Sequence, residues 1–344
     1  MLIACAVLCL VSAARMVQAQ AQAAPTTEAP SLELAEKELR LGQFEATLKT
    51  LDSLSSTGAL SARGAYLRGL AFYQQGNMVA AAQAFSEASR LNPKDLEVLK
   101  MEGASLYRSA RAAEAIPLLE NAGIASRENN VDPQYVLGLC YMDTARYDDA
   151  RRAFAAQYRF APESAPAYLL EARILLRRDL IELSAAAARH ALELKSDIPG
   201  AHFILGQVAL ARANPQEAIQ QFLAERALAP LEGAVYDRLG DAYIRAGDYA
   251  AAQQALDQAI ILEPTLNIPY ILLAKALLEE QAPWLAVPYL QHALDIDNKN
   301  SMAHALLGRA YRELGRREEA ATELRTAARL QMPATPKRES TPER

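Results

Sequence analysis

The stretch GAVYDRLGDAYIRAGDYAAAQQALDQAIILEP, from Gly233 to Pro264, decides the fold. Apolar residues recur in it at three- and four-residue spacing on both sides of Ala246-Gly247-Asp248. That pattern marks two amphipathic helices joined by a short break. Gly247 suits the end of the first helix, Asp248 suits the cap of the second, and Pro264 stops it.

Shifting the chain against itself by 34 residues repeats this unit along most of its length. Gly69, Gly103, Gly138, Gly206, Gly240 and Gly308 fall in one column, with Ala172 and Ala274 in the remaining two places. Twelve residues on, Ala81, Ala115, Ala150, Ser184, Ala218, Ala252, Ala286 and Ala320 make a second small column. Seven beyond that come Ala88, Ala122, Gln157, Ala191, Glu225, Ala259, Ala293 and Ala327. A large apolar column runs through Phe85, Leu119, Phe154, Phe222, Leu256, Leu290 and Leu324, with Ala188 its one small member. Columns that agree at one spacing identify a repeat architecture. Helices approach closely only where side chains are small, so the glycine column is expected to meet the alanine column, with the large apolar residues filling the space beside them.

The signature is similar to that of the tetratricopeptide repeat family: a Leu-Gly pair, an aromatic three residues later, then Ala, a large apolar residue, Ala and Pro. Leu239-Gly240, Tyr243, Ala252, Leu256, Ala259 and Pro264 follow it, as do Leu137-Gly138, Tyr141, Ala150, Phe154 and Pro162. The resemblance implies an all-α, right-handed superhelical solenoid of about eight to nine helix-turn-helix repeats. Eight periods start at Ala62, Leu96, Val131, Ala165, Pro199, Gly233, Asn267 and Ser301 and fill residues 62–334, with a degenerate repeat ahead of them at 31–61. Two repeats depart from the pattern. One carries Glu171-Ala172 in place of Leu-Gly and the other carries Pro269, Pro283 and Pro288, so different local packing is expected there.

Outside the repeats, Leu2 to Val11 is an apolar run followed by small residues and Ala19-Gln20-Ala21, so residues 1–21 read as a secretory signal. No Lys or Arg precedes that run; were translation to start upstream, Cys5 would fall in a lipoprotein-like box and anchor the chain by lipid. Residues 22–30 read as a linker and 335–344 as a disordered tail. The expected location is therefore periplasmic or secreted, with no membrane span in the mature chain. Of three cysteines only Cys140 lies beyond the leader, which excludes an intramolecular disulfide and a thiolate metal cluster in the processed protein. A formal net charge of -5 without a clustered basic run argues against nucleic acid.

In such a solenoid the first helix of each pair lines the concave side, so its residues off the packing columns are the candidate partner-binding groove. These are Tyr66, Leu70, Tyr73, Tyr107, Tyr135, Leu139, Met142, Leu169, Arg173, Phe203, Ile244 and Ile271. Tyr and Leu anchors of this kind suit an extended or helical peptide, and packing between neighbouring first helices is the alternative use for each. Some family members grip a C-terminal carboxylate with Lys and Asn at set groove positions; the matching places hold Leu70, Ala104, Leu139, Arg173, Gln207, Asp241, Lys275 and Arg309, which is not that set. Arg173 with Arg177 offers a local positive spot.

The four histidines form two pairs, His190 with His202 and His292 with His304, three periods apart, which periodicity explains without a metal. No phosphate loop, nucleophile elbow or zinc-protease motif is present, and no cofactor is expected. The sequence reads as a non-catalytic scaffold or adaptor of the bacterial cell envelope that binds a protein or peptide partner. The alternative is a regulatory subunit of an exported peptidase or glycosyltransferase complex.

Overall fold

A computed structural model of the chain describes residues 28–56, 58–123 and 131–331. The expected signal at 1–21 and tail at 335–344 lie outside the described residues. The described residues form eighteen α-helices, with no strand among them. They fall into two compact units, Met1–Arg159 and Phe160–Arg344.

The first unit holds α1 (Glu28–Arg40), α2 (Phe44–Ser55), α3 (Ala62–Gln74), α4 (Met78–Leu91), α5 (Leu96–Arg108), α6 (Ala112–Ala122), α7 (Pro133–Asp143) and α8 (Tyr147–Tyr158). Each helix packs on the next, and the first helices of neighbouring pairs also touch, α1 on α3 and α5 on α7. The first helix begins at Glu28, inside the stretch expected as a linker at 22–30. It extends that far because its apolar face is used: Ala35 is fully buried beside Leu51 and Leu67, with Leu32 and Leu39 against them.

The second unit holds α9 (Ala165–Arg177), α10 (Ile181–Leu194), α11 (Ala201–Ala211), α12 (Pro215–Leu228), α13 (Gly233–Ala246), α14 (Tyr249–Leu262), α15 (Asn267–Glu279), α16 (Pro283–Ile296), α17 (Ser301–Glu313) and α18 (Arg317–Gln331). Successive helices pack antiparallel hairpin on hairpin, and α9, α11, α13 and α15 each touch the next first helix. The proline-rich repeat keeps the pattern. Pro283 occupies the first turn of α16, where it displaces no helical hydrogen bond, and α16 runs on through Pro288.

Helix starts follow the side chains that accept from exposed backbone N–H groups. Asn77 accepts from Ala80, Asp95 from Glu97 and Val98, Asp132 from Gln134 and Tyr135, Asn214 from Glu217, Asp248 from Ala251, and Asn300 from Ala303. Between the two helices of every pair sits one residue with positive φ. The column is Gly42, Gly76, Ala110, Ala145, Asp179, Ala213, Gly247, Gln281 and Gly315. Gly42 lies one period ahead of Gly76, so the pair α1–α2 turns as the later repeats do.

The glycine column meets the large apolar column at the shortest distances. A Cβ on Gly69, Gly138 or Gly206 would lie 2.5, 2.5 or 2.4 Å from the ring of Phe85, Phe154 or Phe222, sixteen residues further on. On Gly103, Gly240 and Gly308 it would meet Leu119, Leu256 and Leu324 at 2.6, 2.5 and 2.7 Å. The glycines thus make room for the large apolar column itself. The alanine column approaches there too: the Ala115 and Ala320 carbonyls stand 3.4 and 3.2 Å from the Cβ positions of Gly103 and Gly308. The signature residues Ala81, Ala218 and Ala252 are fully buried and Ala150 and Ala320 nearly so.

Candidate functional site

The first helices carry the expected groove residues, and contact between consecutive first helices decides which remain available. Tyr66, Leu70, Met142, Leu169, Ile244 and Ile271 are buried, which corrects their reading as groove surface. Tyr66 and Leu70 share a hydrophobic cluster with Val98 and Met101 of α5, and Ile244 and Ile271 share one across α13 and α15, so these four serve as core. Tyr73, Tyr107, Leu139 and Phe203 are partly buried, whereas Tyr135 and Arg173 are exposed.

A rule connects the aromatic groove positions with the packing columns. Tyr66 pairs with Phe85, Tyr135 with Phe154 and Phe203 with Phe222, at ring centroid distances of 5.7, 5.9 and 5.8 Å. Each groove aromatic therefore stands on the phenylalanine seated over its own glycine. Tilted rings at this separation add attraction beyond area burial. Where the second helix carries Leu119 or Leu256 instead, the groove place holds Lys100 or Asp237.

The best-formed cleft lies wholly within Phe160–Arg344 and has a volume of about 400 Å³. One wall comes from α9, where Arg173 and Arg177, four residues apart, share a face with Leu176. Both arginines are exposed. Pro199 and Gly200, from the connection between α10 and α11, close one end. Gly200 has φ +96°, and a Cβ there would stand 2.6 Å from Arg173 Nη2, so backbone and guanidinium approach as only glycine permits. The opposite wall is Phe203, Ile204 and Gln207 of α11, with Ala234 and Val235 of α13 beyond.

Glu225 of α12 fixes this wall. Its side chain is 2% exposed, Oε1 accepts from Gly200 N at 2.6 Å, and Oε2 accepts from Phe203 N at 3.1 Å. One carboxylate thus caps α11 from outside its own helix and places Phe203 at the cleft. Sequence reasoning did not select Glu225. The available signal was its place in a column that otherwise holds mostly alanine.

Chemically, the cleft offers two guanidinium groups beside an apolar wall, with the exposed Glu232 carboxylate also on its lining. Guanidinium pairs well with carboxylates, and Phe203, Ile204 and Val235 suit a large apolar side chain next to such a group. Further along α13, burial pushes the Asp237 carboxyl up to about 6, opposed by Arg238 and reinforced by Asp241 and Glu263. Asp237 Oδ1 is buried without a hydrogen-bond partner.

Other candidates resolve into packing. Cys140 is fully buried, and burial, with Asp143 nearby, pushes its thiol up to about 12, which leaves no thiolate nucleophile near neutral pH. The histidine pairs repeat the same contacts three periods apart. His190 meets the Tyr168 ring and His292 the Tyr270 ring, while His202 bonds Gln221 at 2.7 Å and His304 bonds Glu323 at 2.6 Å. Among the described residues no group of three His, Cys, Asp or Glu side chains is placed to hold a metal, and no helix is long and apolar enough to cross a membrane.

Models of the tetratricopeptide repeat family match residues 32–95, 106–174, 169–232, 233–266 and 277–332. No curated protein matches the chain. Solved structures similar to it include that of the APC/C hetero-tetramer Cut9–Hcn1, at 20% identity and TM-score 0.45, covering 78% of this chain and 52% of that one. The chain thus spans about half the length of that relative. Others are YrrB, described as a TPR protein with an unusual peptide-binding site, at 21% identity and TM-score 0.45 over 54% of this chain and 93% of that one, and MamA from Desulfovibrio magneticus RS-1, at 20% identity and TM-score 0.45 over 48% and 94%.

Proposed function

The chain belongs to the tetratricopeptide repeat family, and from that premise we propose that it is a non-catalytic adaptor whose first-helix face grips a peptide segment of a partner protein. The observation that carries the reading is the cleft at Arg173, Arg177 and Phe203. It asks for an acidic side chain or chain-terminal carboxylate adjoining a large apolar residue, because two guanidinium groups adjoin an apolar wall held in place by Glu225.

The setting we propose is the bacterial cell envelope, with the protein periplasmic or secreted. The apolar run Leu2 to Val11 and the small residues after it support export. The non-catalytic reading is supported by the repeat itself, since the helical hairpins take up the patterned sequence and Cys140 is buried within one of them. The protein–protein role is the one that families of stacked helical pairs supply through their repeated surfaces.

A photo-crosslinking residue placed at Gln207 in the cell provides the test. The expected result is a discrete adduct with one envelope protein, strongly reduced when Arg173 and Arg177 are both changed to Glu. No adduct, or an adduct that is indifferent to the double charge reversal while the protein remains folded, would count against this cleft as the partner site.

A further inference from the structure

The residue before the signature glycine, or before Ala274 in its place, is Leu137, Leu205, Leu239, Leu273 and Leu307 in five repeats, and each of these leucines is buried. The other three repeats hold Arg68, Glu171 and, in the repeat that begins at Leu96, Glu102, the two glutamates each only 7% exposed. Glu102 Oε2 is shut off from solvent and has no hydrogen-bond partner. A carboxylate oxygen buried without a partner is costly, and here the side chain stands where five repeats pack leucine.

Glu102 lines a cleft of about 480 Å³ formed by α4, α5 and α6 within the first unit. Leu106, Pro117 and Leu118 give it apolar lining, and Arg111 and Glu114 are its exposed charges. Arg111 is already engaged, since its Nε and Nη2 donate to the two Glu114 oxygens at 2.8 and 2.6 Å. The neighbouring cation is thus committed elsewhere, while the buried acid keeps its acceptor.

We propose that this cleft receives a lysine side chain of a partner protein. Its methylene stem lies along Leu106, Pro117 and Leu118, and its ammonium donates to Glu102, whose carboxyl turns to bring Oε2 to the cleft. Lysine fits better than arginine because a single buried, unpartnered oxygen suits a point donor, whereas a guanidinium fork seeks both oxygens of a carboxylate at once. The chain's net charge of -5 favours approach of such a basic partner. The inference does not rest on the reading of the Arg173 cleft.

The test uses the full chain with labelled leucine methyl groups, titrated with acetylated and amidated Gly-Lys-Gly and with the same tripeptide carrying norleucine. The expected result is saturable movement of the Leu106 and Leu118 resonances with the lysine peptide, at least roughly tenfold weaker with norleucine, the equivalent of one lost ion pair. The response is lost in Glu102→Leu and in Glu102→Gln, and Glu102→Leu raises the thermal midpoint by restoring the leucine of five other repeats. Equal response to both peptides, no response to either, or binding that survives in whichever variant folds would overturn the proposal.

Discussion

Gly206 and Phe222 are built for each other: a Cβ on Gly206 would lie 2.4 Å from Cε1 of the Phe222 ring, and that ring is fully buried. The same relation joins Gly69 to Phe85 and Gly138 to Phe154. In the repeat that starts at Ala165 the glycine place holds Ala172, and the residue sixteen further on shrinks to Ala188, although Ala274 keeps Leu290, so the exchange is not obligatory. Gly206→Ala should cost about 1–3 kcal/mol through overpacking, despite the higher helix propensity of alanine. In a Phe222→Ala background, the pairing that Ala172 and Ala188 already show, the same change should cost less. Chemical unfolding of the four proteins of this cycle measures the coupling; additive effects would refute the contact as the source of the cost.

The positive-φ column yields a prediction of opposite sign. Ala213 has φ +55°, a conformation that glycine adopts freely and alanine does not. Ala213→Gly should stabilise the protein by about 0.5–1 kcal/mol, the relief of left-handed strain less the extra freedom of the unfolded chain. The control is Ala209→Gly, fully buried in the regular part of α11, which should destabilise. Thermal midpoints of both variants settle the sign.

These two cases show where the sequence was readable. The 34-residue columns located the hairpins, because close helix contacts demand small residues at fixed places. They did not reveal that glycine faces the phenylalanine column, since that depends on the direction of the ring and not on residue size. The breaks between helices were visible where Gly76, Gly247 or Gly315 stands and also at Ala145 and Ala213, but Ala110 and Gln281 adopt the same backbone under tertiary constraint and carry no local signal. For the groove, helical spacing chose the correct helices and then overcounted the available side chains. Tyr66 and Ile271 share periodicity with Tyr135, and only the neighbouring helix decides that the first two are covered.

Asp237 should make stability depend on pH. Its carboxyl titrates near 6 in the folded chain, chiefly because of burial, against about 3.9 when unfolded. The native state therefore holds the proton more tightly. The associated stability is fully present below about pH 4 and is lost as pH rises through about 6. Two units of difference correspond to roughly 2–3 kcal/mol. Asp237→Asn should raise the unfolding midpoint at pH 8 and leave it nearly unchanged at pH 4. A difference independent of pH would show that burial does not set the acidity of this group.

Glu225 tests whether the wall of the cleft is positioned from a distance. Alanine occupies its column in the neighbouring repeats, as Ala191 and Ala259, so Glu225→Ala introduces no steric conflict of a kind the fold does not already accept. It also removes a buried carboxylate, which by itself would favour the variant. Against that, the N–H groups of Gly200 and Phe203 lose acceptors at 2.6 and 3.1 Å at the start of α11. Hydrogen bonds to charged groups contribute about 1.5–3 kcal/mol each, so the loss should prevail by about 2 kcal/mol. The consequence for binding separates this role from plain stability. Freed at its backbone, Phe203 should no longer hold its tilt on Phe222, and a partner crosslinked through Gln207 should be captured less well at temperatures where the variant remains fully helical. A variant that unfolds earlier but captures the partner as efficiently as the parent below its transition would confine Glu225 to capping α11.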